Sequence, residues 1–372
     1  MKSIKKERDS NIELYRVLGI FLVVMIHLLN KTSAIYMLEK ETAIYYITWI
    51  LMAICKMGNN MLILISGYYW HKTKFSIDKV LQLCITVLFY SVGLAVIAKW
   101  VLGIPLVSEW KDIFHPVINN EYWFMKVYIG LYCTTPFLKI FIESLSKENF
   151  RYLAGMLFIM FSFIPTVFGK DSWMNDGGAY GIVWFVVLYL FGAYINKYKE
   201  TNVKWSRVFI CIGGILVPPV CRFIIDYLYS HAIDVKIKEV DLKLEIIGNP
   251  NSIFILCASV ALFYIFMNVK IHGVRIKKII NKLGQGCLGV YLIHNNRNIA
   301  KWLWEKLEIN YWLVEENNLL VIFIIGMVVF IVCNLIELVR LKLFEIMHIN
   351  QIIMKIVFYL KKYFLRWFKE VN

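Results

Sequence analysis

The sequence predicts an all-α, polytopic integral membrane protein with about ten transmembrane helices. Three observations lead to this fold class. Hydrophobic residues make up 59% of the 372 residues and charged residues only 18%, a more apolar balance than soluble domains have. The apolar residues form blocks of about twenty, the length that crosses a hydrocarbon layer of roughly 30 Å. The Lys and Arg residues lie mainly in the short segments between these blocks.

The blocks define ten candidate spans. The first follows a basic stretch and contains Arg16, which indicates a retained helix rather than a cleaved signal peptide. The seventh contains Pro218 and Pro219, which predict a helix that is broken or that lines a cavity. The ninth is apolar only over its first half. In order, the spans are 11–30, 43–69, 79–102, 122–143, 151–169, 180–197, 206–229, 250–270, 284–306 and 318–343.

The distribution of basic residues predicts the orientation. Lys and Arg concentrate in alternate connections, around residues 72–79, 197–207 and 270–282, which the positive-inside rule assigns to the cytoplasm. An even number of spans then puts both termini in the cytoplasm. We divide the chain into a ten-helix transmembrane domain, residues 1–343, and a cytoplasmic tail, residues 344–372.

The tail has the pattern of a basic amphipathic helix. Its apolar residues recur three or four positions apart, as on one face of a helix. This predicts a helix lying on the anionic inner leaflet, with packing on the protein's own cytoplasmic segments as the alternative. The apolar series is Ile349, Ile352, Ile353, Ile356, Val357, Leu360, Tyr363, Phe364, Trp367 and Phe368, and the basic residues are Lys355, Lys361, Lys362, Arg366 and Lys369.

Composition and short motifs exclude several other classes. The net charge of +15 would suggest nucleic acid in a soluble protein, but its distribution between apolar blocks gives no reason to expect that partner. The eight Cys residues form no CxxC pair, so neither a metal site nor a disulfide framework is expected. Residues 284–289 match GxGxxG, but no predicted strand precedes them and a dinucleotide site is not expected.

Arg16 and His27 are the candidate reactive residues of the first span. Eleven positions are close to three helical turns, so the two side chains share a face to within about 20° and lie about 16 Å apart. Ionisable residues in a span usually face a cavity or a partner, which predicts one polar cavity shared by both. Glu13 could hold Arg16 as an i, i+3 ion pair. Taken singly, Arg16 could snorkel to the headgroups and His27 could be an ordinary interfacial histidine.

These residues belong to a wider set of motifs. An Arg and a His separated by ten residues in the first span are followed by further short motifs in a characteristic order. With this order and spacing, the chain resembles the acyltransferase-3 family of membrane acyltransferases over nearly its whole length. The further motifs are Asn60 to Tyr68, Tyr122 to Phe124, Leu131-Tyr132 with Pro136, Trp184-Phe185 with Gly192 to Tyr194, and Gly289 to His294.

The resemblance implies an activity. Members of that family move an acyl group, usually acetyl, from cytoplasmic acyl-CoA to a hydroxyl of an envelope glycan. It implies that His27 is catalytic, that Arg16 assists it near the donor, and that acetyl-CoA is the donor without a metal or prosthetic group. Lys74 and Lys79 stand where members often carry Arg, and are expected to bind the donor.

The resemblance also implies substrate contacts. Residues of the motifs expected to bind substrate are Ser66, Tyr122, Trp123, Tyr291 and His294. Tyr122 and Trp123 could instead belong to the interfacial aromatic belt, and His294 could have a structural hydrogen-bonding role. Asn295 departs from the acidic residue expected after His294 in the closest members.

The predicted function is therefore O-acetylation of a cell-surface or exported polysaccharide by a multi-pass protein of a bacterial plasma membrane. Its partners would be membrane lipid, acyl-CoA and the glycan acceptor. Two alternatives fit the same sequence. One is an export component that moves a glycan or a lipid-linked intermediate, and the other is transfer of a different acyl group, such as succinyl.

Overall fold

The structure, a computed structural model, describes residues 9–169, 179–198, 205–231 and 247–371. In these ranges most residues are in helices joined by short connections. No β-strand occurs in these ranges. The longer helices are α1 (Ser10–Lys31), α2 (Ala43–Trp70), α3 (Ile77–Val96), α4 (Trp123–Ser144), α5 (Lys147–Phe158), α6 (Ile182–Tyr198), α7 (Trp205–His231), α8 (Ile253–Asn268), α9 (Val274–His294), α10 (Arg297–Lys306), α11 (Leu319–Ile346) and α12 (Ile349–Val371).

Several helices are long and apolar enough to cross a membrane. In the described ranges six meet both conditions: α1, α2, α3 with its π-helical continuation to Val101, α5 with its continuation to Phe168, α7 and α11. Helices α6 and α8 are apolar but shorter. The chain is thus a multi-pass membrane protein. The number ten and the cytoplasmic position of both termini stay predictions.

The ninth predicted span, 284–306, is wrong. Its residues lie in two helices, because α9 ends at His294 and α10 begins at Arg297. Asn296 caps α10 by accepting a hydrogen bond from the Asn298 backbone N–H at 3.0 Å. Helix α9 also begins at Val274, ten residues before the predicted start. Its first turns are basic, and the prediction placed them in a connection. Lysines are good helix formers, so charge alone did not mark the boundary.

The sequence predicted that the seventh span is broken at Pro218 and Pro219 or lines a cavity. Helix α7 is continuous through both prolines, so the break does not occur. Both prolines line a cavity together with Arg222. Arg222 pairs with Asp226 one turn later, with 2.9 Å between Nε and Oδ2. Tyr45 of α2 donates a hydrogen bond to the same carboxylate at 2.9 Å, which ties α7 to α2.

Helix α1 lies at the centre of the bundle and packs against α2, α8, α9 and α11. Most of its side chains between Gly19 and Leu29 are buried. Helix α2 packs in turn against α6. At that crossing the backbones touch: a Cβ on Gly67 would overlap the Tyr189 carbonyl oxygen, and a Cβ on Gly192 would overlap that of Leu64. Two motif glycines thus allow α2 and α6 to meet.

Replacing Gly67 by Ala is expected to destabilise the protein by about 1–3 kcal/mol or more, because the added methyl group meets rigid backbone rather than a side chain that can move. Thermal unfolding of the detergent-solubilised variant, followed by size-exclusion chromatography, measures this. Gly93→Ala is the matched control, since a Cβ there has nothing within 4 Å. Equal loss in both variants would contradict the close helix crossing.

Helix α12 follows α11 and packs back onto α3. It buries Ile353 and Val357, and Gln82 of α3 donates a hydrogen bond to the Asn350 side chain at 3.0 Å. The amphipathic helix predicted for the tail is present, and part of its apolar face covers the protein itself. Neighbouring apolar side chains, among them Phe358, remain exposed. Contact of these with lipid stays a prediction.

Candidate active site

Two histidines meet near the C-terminal ends of α1 and α9. His27 of α1 and His294, the last residue of α9, have 2.9 Å between His27 Nδ1 and His294 Nε2. His294 is fully buried, and its Nδ1 contacts the Val290 carbonyl oxygen one turn earlier. The two motifs that carry these residues are 267 positions apart, and the packing of α1 on α9 brings them together.

This arrangement determines the hydrogen positions when both rings are neutral. A carbonyl oxygen only accepts, so His294 Nδ1 carries the hydrogen and donates it to Val290. His294 Nε2 is then an acceptor, and His27 Nδ1 must donate to it. His27 Nε2 is left unprotonated. Its lone pair is therefore available to accept a proton or attack a carbonyl.

Tyr122, the residue that precedes α4, supports this pair. The Tyr122 hydroxyl donates a hydrogen bond to the Leu292 carbonyl at 3.1 Å and accepts one from the Asn296 amide at 2.7 Å. Tyr122 is fully buried, so its ring is not open to solvent. In this structure Tyr122 fixes the end of α9, where His294 lies. Sequence reasoning placed it at a sugar-binding surface or in the aromatic belt.

Arg16 forms the ion pair suggested by its spacing from Glu13. Arg16 Nη1 lies 3.0 Å and 3.1 Å from the two carboxylate oxygens. The Glu13 carboxylate occupies the space beside Gly284 of α9, where any Cβ would overlap it. A glycine of the GxGxxG match thus serves helix packing rather than a dinucleotide. Because both contacts use Nη1, the rest of the guanidinium can bind another group.

A cavity of about 350 Å³ opens beside Arg16. We call it the Arg16 cavity. Its volume is within the range of roughly 300–1,000 Å³ typical of ligand sites. Ser66 lines it and donates to the Leu62 carbonyl at 3.1 Å, with the Tyr128 hydroxyl at 3.3 Å. The other lining residues used below are Ile20, Val23, Phe124 and Tyr291.

Contrary to the sequence prediction, Arg16 and His27 do not share one cavity. The described residues that line the Arg16 cavity do not include His27. Tyr291 lies between them: it lines the cavity, and its ring centroid is 6.5 Å from that of His27. The prediction considered α1 alone. Side chains from α4 and α9 fill the space between His27 and the cavity, and the spacing along one helix does not account for them. Phe124 packs on Tyr291 with 5.5 Å between ring centroids.

A second cavity, of about 800 Å³, lies beyond His27 at the other end of α1. We call it the Lys31 cavity. Trp304 lines it, and its ring centroid is 6.3 Å from that of His294. Along α1 the order is thus the Arg16 cavity, the histidine pair and the Lys31 cavity. The remaining lining residues are Thr32, Val107, Arg297, Ala300, Lys301, Glu305, Glu308, Ile309, Asn310 and Tyr311.

The other predicted site residues lie apart from the histidine pair. Lys74 and Lys79 are exposed, in the connection before α3 and in its first turn, and neither lines the Arg16 cavity. They follow the end of α2, whose Tyr69 does line it. Trp123 packs in an aromatic cluster, with 5.0 Å between its ring centroid and that of Tyr180.

Sequence reasoning missed the polar residues around the Lys31 cavity. Lys31 Nζ donates to the Asn295 side-chain oxygen at 2.6 Å, and Glu121 accepts from the Ser108 hydroxyl at 2.7 Å. Burial raises the pKa of the Glu121 carboxyl, while the Ser108 hydrogen bond and the charge of Arg297 act in the opposite direction. The spacing of Lys31 from His27, one helical turn, was the signal available for its position.

Comparison with known proteins gives one match. A family described as an acyltransferase domain matches residues 9–338, which include both histidines, Arg16 and the residues that line the two cavities. No curated protein matches the chain, and no solved structure matches it.

Proposed function

The chain belongs to the acyltransferase-3 family, and from that membership and the site geometry we propose that it transfers acetyl from cytoplasmic acetyl-CoA to a hydroxyl of a cell-surface or exported polysaccharide. A bacterial plasma membrane is the proposed location. One observation carries the proposal: along α1, His27 lies between Arg16 and Lys31, each of which lines a cavity, and its hydrogen-bond chain leaves Nε2 unprotonated. His27 itself is not among the described residues that line the two cavities. A base in that position can serve a donor from one side and an acceptor from the other.

The proposed step is direct transfer. His27 Nε2 takes the proton from the acceptor hydroxyl while the oxygen attacks the thioester carbonyl carbon. The carbon–sulfur bond breaks, the CoA thiolate leaves, and it takes the proton back from the imidazolium. The products are the acetyl ester and free CoA. His294 holds the His27 ring in the required tautomer, as the third member of a catalytic triad does.

The Arg16 cavity is the proposed donor site. Arg16 lies near the N-terminal end of α1, and 27% of its side chain is exposed, so a donor can reach it. A guanidinium forms paired hydrogen bonds to phosphate, which suits the phosphates of CoA. The lining beyond it is mainly apolar, with Ile20 and Val23, and suits the pantetheine arm. For the acetyl group to reach His27, Tyr291 must move from the wall between them.

Binding of acetyl-CoA tests this proposal. We expect the purified full-length protein in nanodiscs to bind acetyl-CoA in isothermal titration, and Arg16→Ala to weaken binding by about tenfold to hundredfold, because charged hydrogen bonds to phosphate are lost. Arg16→Lys keeps the charge but not the fork, so an intermediate loss is expected. Arg275→Ala, at an exposed position of α9, is the control with the same change of charge.

Two outcomes would contradict the proposed donor site. If the wild-type protein does not bind acetyl-CoA, an export component becomes the better interpretation, since a pure exporter has no need of the donor. If Arg16→Ala and Arg275→Ala lose affinity equally, Arg16 acts only through general charge. A preference for succinyl-CoA over acetyl-CoA in the same titration would change the acyl group but keep the class of reaction.

A further inference from the structure

The Lys31 cavity has features of a binding site that the acetylation step alone does not require. It is larger than the Arg16 cavity. Neither histidine is among the described residues that line it, but its lining residue Trp304 packs against His294. Trp304 is 2% exposed, yet its Nε1 has no hydrogen-bond partner in the described part of the chain. The Asn310 side-chain oxygen is buried and equally unpartnered within those residues. A donor and an acceptor without partners indicate a polar ligand.

Two cations face the cavity at the end near His27. Lys31 follows His27 by one helical turn, and its hydrogen-bond partner is the neutral side chain of Asn295. Arg297 lies close enough to Lys31 for mutual repulsion. Within the described ranges neither has a carboxylate at ion-pair distance. The buried Glu121 carboxylate is close enough for its charge to act on both cations, and it offsets one of the two positive charges. One positive charge remains in excess, which forms a place for an anion.

The acidic residues that line the cavity are Glu305, near the end of α10, and Glu308, just after it. Lys301 pairs with Glu305 at 3.8 Å, and both side chains are exposed, as is Glu308. The buried Glu121 carboxylate is engaged by Ser108 and does not line the cavity. With the Glu121 charge included, Lys31 and Arg297 leave one net positive charge near His27, whereas Lys301, Glu305 and Glu308 leave one net negative charge further along the chain.

We propose that the Lys31 cavity binds the acceptor and selects a sugar that carries an anionic group next to the hydroxyl to be esterified. Lys31 and Arg297 hold the anion, and the Trp304 N–H, which has no partner in the described part of the chain, donates to one of the sugar oxygens. The anion is either the carboxylate of a sugar acid or a phosphate, which share this recognition. This inference rests on the proposed function and names the substrate class of the same site.

Binding of three small sugars to the full-length protein in nanodiscs tests the inference without using acetyl transfer. The probes are methyl glucoside, methyl glucuronide and glucose 1-phosphate, which share a ring and differ in charge. In saturation-transfer NMR titrations we expect at least one charged probe to bind about tenfold more tightly than methyl glucoside, with a preference that decreases as salt is added. The charged probe that binds more tightly identifies carboxylate or phosphate as the recognised group.

Three variants assign the effect to the cavity. Arg297→Gln is expected to remove the preference for charged probes. Asn295→Asp keeps the shape of the side chain but places a carboxylate against Lys31, and is expected to reduce the preference as well. Lys306→Gln, on the same helix but outside the cavity, should leave the preference unchanged. Thermal unfolding of each variant checks that it is folded.

Several outcomes would overturn the inference: equal affinity for neutral and charged probes, no binding of any probe, or a charge preference that survives both Arg297→Gln and Asn295→Asp. Because these titrations contain no acetyl-CoA, they can fail while acetyl-CoA still binds and reacts. Conversely, a charge preference without acetyl-CoA binding would retain the anionic-sugar site and reject the proposed enzyme.

Discussion

Replacing His27 by Ala is expected to lower acetyl transfer by at least about 10³-fold, because this change removes the side chain that we propose as the base. Binding of acetyl-CoA should be unchanged, since His27 does not line the Arg16 cavity. The measurement is transfer of labelled acetyl from acetyl-CoA to envelope glycan in isolated membranes, together with the O-acetyl signals of the purified glycan by proton NMR.

The control for this variant is His272→Ala. His272 is exposed in the connection that precedes α9, so the same chemical change is made away from the site. Protein amount and apparent melting temperature are compared for both variants. Unchanged O-acetylation in His27→Ala, at normal protein amount, would remove His27 from the mechanism and leave the membrane architecture untouched.

Replacing His294 by Leu is expected to lower acetyl transfer by about 10²-fold, an effect that acts through His27. Loss of the acceptor for His27 Nδ1–H frees the ring to rotate and to adopt the other tautomer. His294→Gln provides a carbonyl oxygen that can accept the same hydrogen bond, so partial recovery of the rate is expected. The kcat of each purified variant, at saturating acetyl-CoA, is the quantity to compare.

The recovery by Gln separates positioning from packing. If His294 only fills space, Leu, which is similar in volume and apolar, should be tolerated at least as well as Gln in a buried position. Leu would then retain the rate and Gln would lose it. A His294→Leu variant with full activity therefore contradicts the hydrogen-bond chain from Val290 through His294 to His27.

The helices themselves were predictable because apolar blocks of membrane length are long and continuous. The predicted span 11–30 matches Ser10–Lys31, and 43–69 matches Ala43–Trp70. The prediction failed at 284–306, where Asn295 and Asn296 end one helix and cap the next. A hydropathy pattern counts these residues as two polar positions, whereas their backbone geometry separates α9 from α10.

The site was predictable in its residues but less so in its geometry. Glu13 and Arg16 pair as their spacing suggests, because both lie on one helix. The contact between His27 and His294 depends on how α1 crosses α9, which neither segment encodes alone. Motif residues Asn60 and Trp184 meet in the same way: Trp184 Nε1 donates to the Asn60 side-chain oxygen at 3.1 Å. These motif residues maintain the packing that holds the reactive histidines.

The position of Tyr291 between the Arg16 cavity and His27, with Trp304 on the other side of the pair, has a consequence for the energised membrane. The proposed reaction joins a donor and an acceptor from opposite sides of the membrane, and an open path between them would leak protons and small ions. Tyr291 and Trp304 flank the two imidazoles, so the proposed transfer predicts that these aromatic side chains close the path while no acyl group is passing. Under that proposal the transmembrane potential is maintained while the protein waits for its substrates.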